Sequence, residues 1–435
     1  MDNQPGTRRR VRPMREPNLL DRWDAQIVIA GGGPAAKESA NELRRLGFRG
    51  GITVLSGEAD APYDRPACSK ALLSGEKRPK HVQLQRPGPR VEWINTRALD
   101  LDPDRRLVLT ESGELFPYDG LVIATGGHGS FPKGWPAPQY GLHNLQTVSD
   151  AWAVRQELRD AERVVIVGGG LTGSETAYTV RKLARRPIII DSKQQLMHRA
   201  IGAQMGAVMT DVHAEENAEL VLGRRVDSIR RHNSGWQVKL SDGRFLNADL
   251  VVVTTGERPE TGWLADSGLD VSDGVLCDEY LRVVGADRIV AAGSIARWPN
   301  PRYADKPGRC GQWIAALEQG RMAARTLLLG PSEPAAILPR FWSLQHDLRI
   351  QVAGQIDEAA DIAVTELNPR RRDVARAGVL TTYHRRGRLV GLSAINAAPL
   401  FNAMIRPMLA EQPRFMSPAE ALDETGLSGR LVSVA

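Results

Sequence analysis

Residues 24–36 read DAQIVIAGGGPAA, and residues 163–173 read RVVIVGGGLTG. Each is a short apolar run that breaks into three glycines. After the first, Ala36, Ala40, Leu43 and Leu46 recur at three- and four-residue intervals, the spacing of one helix face; LTGSETAYTVRKLA after the second also reads as a helix. A further apolar run closes each unit, GITVL at 51–55 and PIIID at 187–191. Strand, glycine turn, helix, strand is the dinucleotide-binding unit. The chain contains this layout twice without a long sequence repeat, which implies two separate nucleotide sites.

The glycines have distinct tasks. In Gly31-x-Gly33-x-x-Ala36 and Gly168-x-Gly170-x-x-Gly173, the first glycine allows a tight turn and the second lets the backbone approach a pyrophosphate. The small third residue lets helix pack on strand, and the helix N-terminus stabilises phosphate charge. Asp191 ends the strand after the second turn, 18 residues past Gly173. An acid there accepts hydrogen bonds from adenosine ribose hydroxyls and repels a 2′-phosphate. NADH is therefore expected over NADPH, with Arg185, Arg186 and Lys193 as the opposing signal.

YDGLVIATGG (118–127) and ADLVVVTTGERP (248–259) read as buried strands running into glycine turns, and RIVAAGSIAR (288–297) as a third. Such alternation of strands and helices favours three-layer α/β folds. From about residue 331 the texture becomes that of an antiparallel sheet with a terminal helix. The expected fold class is α/β, with two Rossmann-like three-layer nucleotide-binding domains plus a C-terminal α+β domain. The expected boundaries are a disordered basic tail at 1–23, a discontinuous FAD-binding domain at 24–130 and 257–330, an NAD-binding domain at 131–256, and the α+β domain at 331–435. The length of 435 residues agrees with roughly 150 residues per domain.

The totals exclude several classes. Cys68, Cys277 and Cys310 are the three cysteines, with neither CxxC nor metal-ligand spacing. That argues for a reducing compartment and against a disulfide-relay reductase. No apolar run approaches the ~18 residues of a membrane span, and no apolar stretch follows Arg8, Arg9 and Arg10 before Asp21, so a cytoplasmic protein without an export signal is expected. The net charge is +6, and residues 1–23 hold six arginines against three acids. Half of the excess thus lies on the tail, as a solvated arm or a contact for an acidic partner. No aromatics interleave with it, so nucleic acid is not an expected partner. The eight histidines show no clustering along the chain that suggests a metal site.

The stretch APYDRPACSKALLSG (61–75) resembles the ferredoxin-reductase-like flavoproteins, the group of the putidaredoxin, biphenyl-dioxygenase and rubredoxin reductases and apoptosis-inducing factor. The likeness continues through YDGLVIATGG, VVIVGGGLTGSETA, DSKQQLMHRA, GVLCDEYLR, AAGSIAR, QWIAALEQGRMAA and FWSLQHDLRIQVAG. It covers about residues 24–400 in order. The resemblance implies FAD on the first nucleotide unit and NADH on the second, with electrons passing on to a small acidic ferredoxin of a P450 or dioxygenase system, in a monomer or homodimer. It places Gly31, Gly33 and Ala36 at the FAD pyrophosphate and Glu58 at the adenosine ribose. Arg65 and Lys70 flank the FAD, Thr125, Gly126, Gly256 and Gly293 line the nucleotide sites, Glu175 pairs with Lys70 at the isoalloxazine, and Trp313 lies by the flavin–nicotinamide stack. Lys70 and Glu175 are the expected catalytic pair, because a cation beside the flavin favours the electron-rich ring.

Four positions depart from the family. Ser294 stands where an acid binds the flavin ribityl hydroxyls, and a neutral hydrogen bond has about half the strength of a charge-assisted one. Gly311 and Gln312 replace Glu-His before Trp313, Leu344 replaces an acid, and Cys68 stands where an apolar residue is usual. Cys68 is either a redox thiol beside the flavin or a small buried hydrophobe. These departures cluster around the flavin and imply an altered flavin environment. They leave two alternatives open beside ferredoxin reduction: a flavoenzyme acting directly on a small molecule in a biosynthetic pathway, and a non-catalytic protein of the same fold with weakened flavin binding.

Overall fold

Two five-stranded parallel sheets carry the two glycine turns. A computed structural model describes residues 19–433 except 61, 89, 304–305, 357–359, 368–377 and 411–415. The first sheet runs in the order Ile289–Ala291, Gly120–Ile123, Gln26–Ala30, Gly51–Leu55, Glu92–Ile94. The second runs Glu219–Leu222, Arg186–Asp191, Arg163–Val167, Leu250–Val253, Leu142–Asn144. All pairings in both are parallel.

Burial on both faces explains why these strands read as unbroken apolar runs. In the second sheet, Val164, Ile166, Ile189 and Val252 pack against helices, with Val154 and Ala177 in the same cluster. The alternate residues Val165, Val167, Ile188 and Val251 pack against Trp236 and Val238 of a three-stranded antiparallel sheet. The first sheet repeats this arrangement. Helices Pro34–Arg45 and Trp313–Leu329 pack tightly together, with Ser39 Oγ donating to the Gly320 carbonyl at 2.9 Å. Leu101 and Val108 of a second antiparallel sheet share the first core. This is the expected three-layer arrangement, twice.

The last region is a six-stranded antiparallel sheet. Leu380 and Leu392 on one face bury Leu400, Phe401 and Met404 of the helix Ala398–Leu409. On the other face, Ile350 and Val352 meet Ile201, Met205 and Met209 of the helix His198–Glu215. The C-terminal sheet is thereby fixed against the second nucleotide unit.

Three findings differ from the sequence reading. Residues 1–18 lie outside the described residues, but the rest of the expected tail is docked. Leu19 is 3% exposed in the first core, and Arg22 pairs with Asp119 at 2.6 Å. An apolar residue with a core to reach and an arginine with a carboxylate to meet hold this segment in place. Second, Tyr63, Ala67, Cys68, Leu72 and Leu73 bury themselves in the core of the second unit, although their sequence lies within the first. Third, His213 and His346 meet edge to face with ring centroids 4.5 Å apart. Ser174 Oγ lies 2.9 Å from His213 Nε2 and donates to Gln345 Oε1 at 2.7 Å. Among the described residues no group of three or more potential metal ligands forms.

His213 is 1% exposed, and burial, with the neighbouring His346 adding to it, lowers its pKa to about 4. The unfolded chain takes up that proton near the ordinary histidine pKa of about 6.5, whereas the folded chain resists it until about 4. Stability from keeping His213 neutral is therefore present above about pH 6.5 and lost as pH falls to about 4, a loss on the order of 3 kcal/mol. Denaturant unfolding at pH 7, 5 and 4 is expected to show this slope in the wild type and a flatter one in His213→Gln; equal slopes would rule it out. A second expectation concerns the thiols. Burial pushes Cys68 and Cys277 up to about 12 and Cys310 up to about 11, so none is a thiolate near neutrality. A thiol reagent at pH 8 is expected to leave the native protein nearly unlabelled and to label three cysteines in denaturant. Rapid labelling of native Cys68 would restore its redox reading.

Candidate active site at the junction of the two nucleotide units

A cavity of about 1280 Å³ opens at the carboxyl ends of the first sheet's strands, the place where parallel α/β sheets bind ligands. Gly31, Gly33, Glu58, Arg65, Lys70, Thr125, Gly126, Glu175, Gly256, Gly293, Ser294 and Trp313 all line it. The cavity thus unites the expected flavin-side residues from separate stretches of chain. Phe341, Trp342 and Arg385 of the C-terminal sheet also contribute to its wall.

At one end is the first glycine turn. Gly31 has φ +117°, and a Cβ there would overlap the Ala124 carbonyl, whereas a Cβ at Gly33 would meet nothing within 4 Å. The first glycine therefore makes the turn and the second leaves the backbone open. Ala36 is fully buried and serves as the packing residue. The helix Pro34–Arg45 has no side-chain cap, so its first-turn N–H groups and dipole are left for an anion. Glu58 lies just past the second strand, where its carboxylate meets Arg65 Nη2 at 2.6 Å and accepts from the Tyr63 hydroxyl at 2.5 Å. Glu58 and Arg65, expected as separate contacts, hold each other.

At the other end, Lys70 Nζ lies 2.6 Å from Glu175 Oε2. The Ser69 hydroxyl donates to the same oxygen and the Ser343 hydroxyl to Oε1, each at 2.6 Å. The Glu175 side chain is 5% exposed, and that of Lys70 about a third. A buried carboxylate thus fixes an ammonium group at the cavity wall. Sequence reading named the pair but missed both serines. Ser343 belongs to the buried face of the strand Arg340–Gln345, a signal visible only once that strand's facing is known.

Between the ends, Thr125 Oγ1 donates to the Glu260 carbonyl at 3.0 Å, and Trp313 opens the helix Trp313–Leu329. Gly293 donates its N–H to Gln319 Oε1. Ser294 Oγ donates to Glu257 Oε1 at 2.6 Å, a partner not anticipated from sequence. Cys68 touches the wall but is 3% exposed, which favours the core reading.

Gly168, Gly170, Gly173 and Asp191 are not on this wall. They form the second turn, at the end of the second sheet. Gly170 is open and Gly173 is close-packed, since a Cβ there would overlap the Gly168 carbonyl. The helix Leu171–Lys182 again lacks a side-chain cap, and its first residues, Leu171 and Thr172, reach the cavity. Asp191 accepts from the backbone N–H groups of Gly169 at 2.6 Å and Lys193 at 2.7 Å. A carboxylate has about four acceptor positions, so it retains capacity for ribose hydroxyls. Arg185 points elsewhere, donating to the Leu158 and Arg159 carbonyls, which removes part of the opposing signal for a 2′-phosphate. The open turns, uncapped helices and acids past each second strand fit FAD at the first site and a nicotinamide dinucleotide at the second.

Comparisons with known proteins agree. The family described as pyridine nucleotide-disulphide oxidoreductase matches residues 25–320, and the reductase C-terminal family matches 340–426. The chain is 32% identical to the 5,5'-dehydrodivanillate O-demethylase ferredoxin reductase subunit of Sphingobium sp., over 85% of this chain and 89% of the other. It is 33% identical to the anthranilate 1,2-dioxygenase system ferredoxin–NAD(+) reductase component of Burkholderia cepacia, over 85% and 90%. Among solved structures, a ferredoxin reductase from Rhodopseudomonas palustris superposes with a TM-score of 0.82 at 27% identity, covering 92% of this chain and 97% of that one. The covalent putidaredoxin reductase–putidaredoxin complex gives 0.81 at 26% identity, over 92% and 99%. Two uncapped nucleotide helices meeting at one cavity, and matched along nearly the whole chain, place this protein in the pyridine nucleotide-disulphide oxidoreductase family, as an oxidoreductase of FAD and a nicotinamide dinucleotide.

Proposed function

We propose that this chain takes hydride from NADH and delivers electrons singly to a small acidic iron–sulfur protein, in the cytoplasm. The observation that carries the reading is the Lys70–Glu175 pair, which joins the first glycine turn's side of the cavity to the helix of the second. Relatives named as ferredoxin and rubredoxin reductases support the acceptor class. Among the described residues no helix is long and apolar enough to cross a membrane, and the three cysteines are free, which fits a reducing compartment.

Flavin, when bound, would supply a group able to take a two-electron hydride and to give electrons up singly, which links NADH to a one-electron acceptor. The protein supplies position and charge. The helix N-termini after Gly33 and Gly170 hold the two pyrophosphates, and Asp191 holds the adenosine ribose of NADH. Lys70, fixed by Glu175, Ser69 and Ser343, places a positive charge where the ring gains electron density, without reorganisation at the moment of transfer. Trp313 packs at the ring end of the cavity.

The purified protein is expected to show a flavin absorbance band that NADH bleaches and a ferredoxin restores, at a rate that falls with ionic strength because the steering is electrostatic. No flavin band, or no ferredoxin reduced faster than by free flavin, would refute the reading. Lys70→Met is expected to slow flavin bleaching by NADH by roughly a hundredfold in stopped flow, while FAD remains bound. Asp191→Ala is expected to shift the NADH-to-NADPH preference by about tenfold or more towards NADPH, as charged hydrogen bonds to the ribose are lost; an unchanged ratio of kcat/KM values would show that Asp191 does not read the ribose.

A further inference from the structure

We propose that Glu257 supplies the carboxylate that binds the hydroxyl-bearing ribityl chain of the flavin, and that Ser294 holds this carboxylate in place. The inference rests on the reading above that FAD lies in the cavity.

Glu257 begins the short strand Glu257–Pro259, which pairs antiparallel with Gly127–Gly129. This places it on the chain's return from the second unit to the first. Oε1 accepts from Ser294 at 2.6 Å. Oε2 lies 3.2 Å from where a Cβ at Gly311 would stand, and a Cβ at Gly127 would overlap the carboxylate. Three positions around one carboxylate, 127, 294 and 311, are thus Gly, Ser and Gly. A Cβ at 127 would overlap the carboxylate and the Arg258 carbonyl, and one at 311 would crowd the carboxylate.

This carboxylate is half-buried on the cavity wall. Among the described residues Ser294 is its one hydrogen-bond donor, and neither Lys nor Arg pairs with it. A half-buried carboxylate with one donor has roughly three acceptor positions left for a ligand's hydroxyls. A phosphate is repelled there, so the fitting ligand group is a neutral chain of hydroxyl donors.

Location selects which hydroxyls. The Gly293–Ser294 turn abuts the phosphate-site helix, where a Cβ at Gly293 would lie 3.2 Å from Ala35 Cβ. Gly311 is two residues before Trp313. Glu257 therefore lies between the pyrophosphate turn and the ring end, on the stretch where the ribityl chain must pass. Because Ser294 Oγ gives its proton to Glu257, it keeps acceptor capacity of its own on the cavity wall.

The test compares wild type, Glu257→Gln, Ser294→Asp and the double variant, reading FAD release by recovery of free-flavin fluorescence and apoprotein stability by thermal melting. Glu257→Gln is expected to weaken FAD binding about ten- to a hundredfold with the apoprotein melt unchanged. Ser294→Asp alone is expected to weaken it too, because it sets two carboxylates in contact. The double variant, with its one acid moved to position 294, is expected to recover most of the loss. Equal FAD affinity in wild type and Glu257→Gln, losses that add in the double variant, or an apoprotein melt lowered as much as the holoprotein's would each overturn the inference while leaving the flavin reading intact. Wild-type protein that binds no FAD would overturn both.

Discussion

The Glu175 carboxylate is met by groups from two distant stretches of chain, so that three stretches converge on it at the cavity wall. Ser69 and Lys70 come from the segment after the second strand, Glu175 from the helix of the second glycine turn, and Ser343 from the C-terminal sheet. Removing one partner of a buried charge pair typically costs about 3–5 kcal/mol, because the remaining charge stays desolvated. The charge therefore sets the relative position of the three stretches as well as the position of the ammonium group. This also accounts for the unusual path of residues 62–84. Tyr63, Ala67, Leu72 and Leu73 leave the first sheet and pack into the second unit's core, carrying Ser69 and Lys70 to the helix that bears Glu175.

The C-terminal sheet does more than cover an edge. Its strand Arg340–Gln345 presents Ser343 to Glu175 and Gln345 to the Ser174–His213 group. Residues 174 and 175 are adjacent on one helix, so the sheet reads both. Burial favours the neutral form of the histidine pair, and His213 meets Ser174, the neighbour of Glu175 on its helix.

What could be read from the sequence follows from range. Most of the parallel strands and the glycine turns were legible, because burial on both faces produces unbroken apolar runs and a tight turn demands glycine locally; the order of strands within each sheet and the edge strands Glu92–Ile94, Leu142–Asn144 and Glu219–Leu222 were not. Lys70 and Glu175 became legible as a pair only through resemblance, being 105 positions apart. Ser343, the His213–His346 contact and Glu257 were not legible. Each acts through a partner fixed by tertiary packing, and an isolated Ser, His or Glu looks like a solvated surface residue. The docked Leu19 was missed for the opposite reason: the density of arginines around it dominates the composition of a short segment.

The departures around the flavin then take on a different meaning. Taken singly, a serine at 294 and a glycine at 311 each remove an acid from the flavin site, and the sum suggests a weakened grip. In three dimensions the two positions flank one carboxylate that arrives from residue 257. Charge along the cavity runs from an uncapped helix N-terminus at Gly33, through the Glu257 carboxylate, to the Lys70 ammonium. FAD runs in the same order from an anionic pyrophosphate, through a chain of hydroxyl donors, to a ring that gains negative charge on reduction. On the proposed reading the Glu257 carboxylate, held by Ser294 and approached by Gly311, supplies one acid at a place where two separate positions lack one.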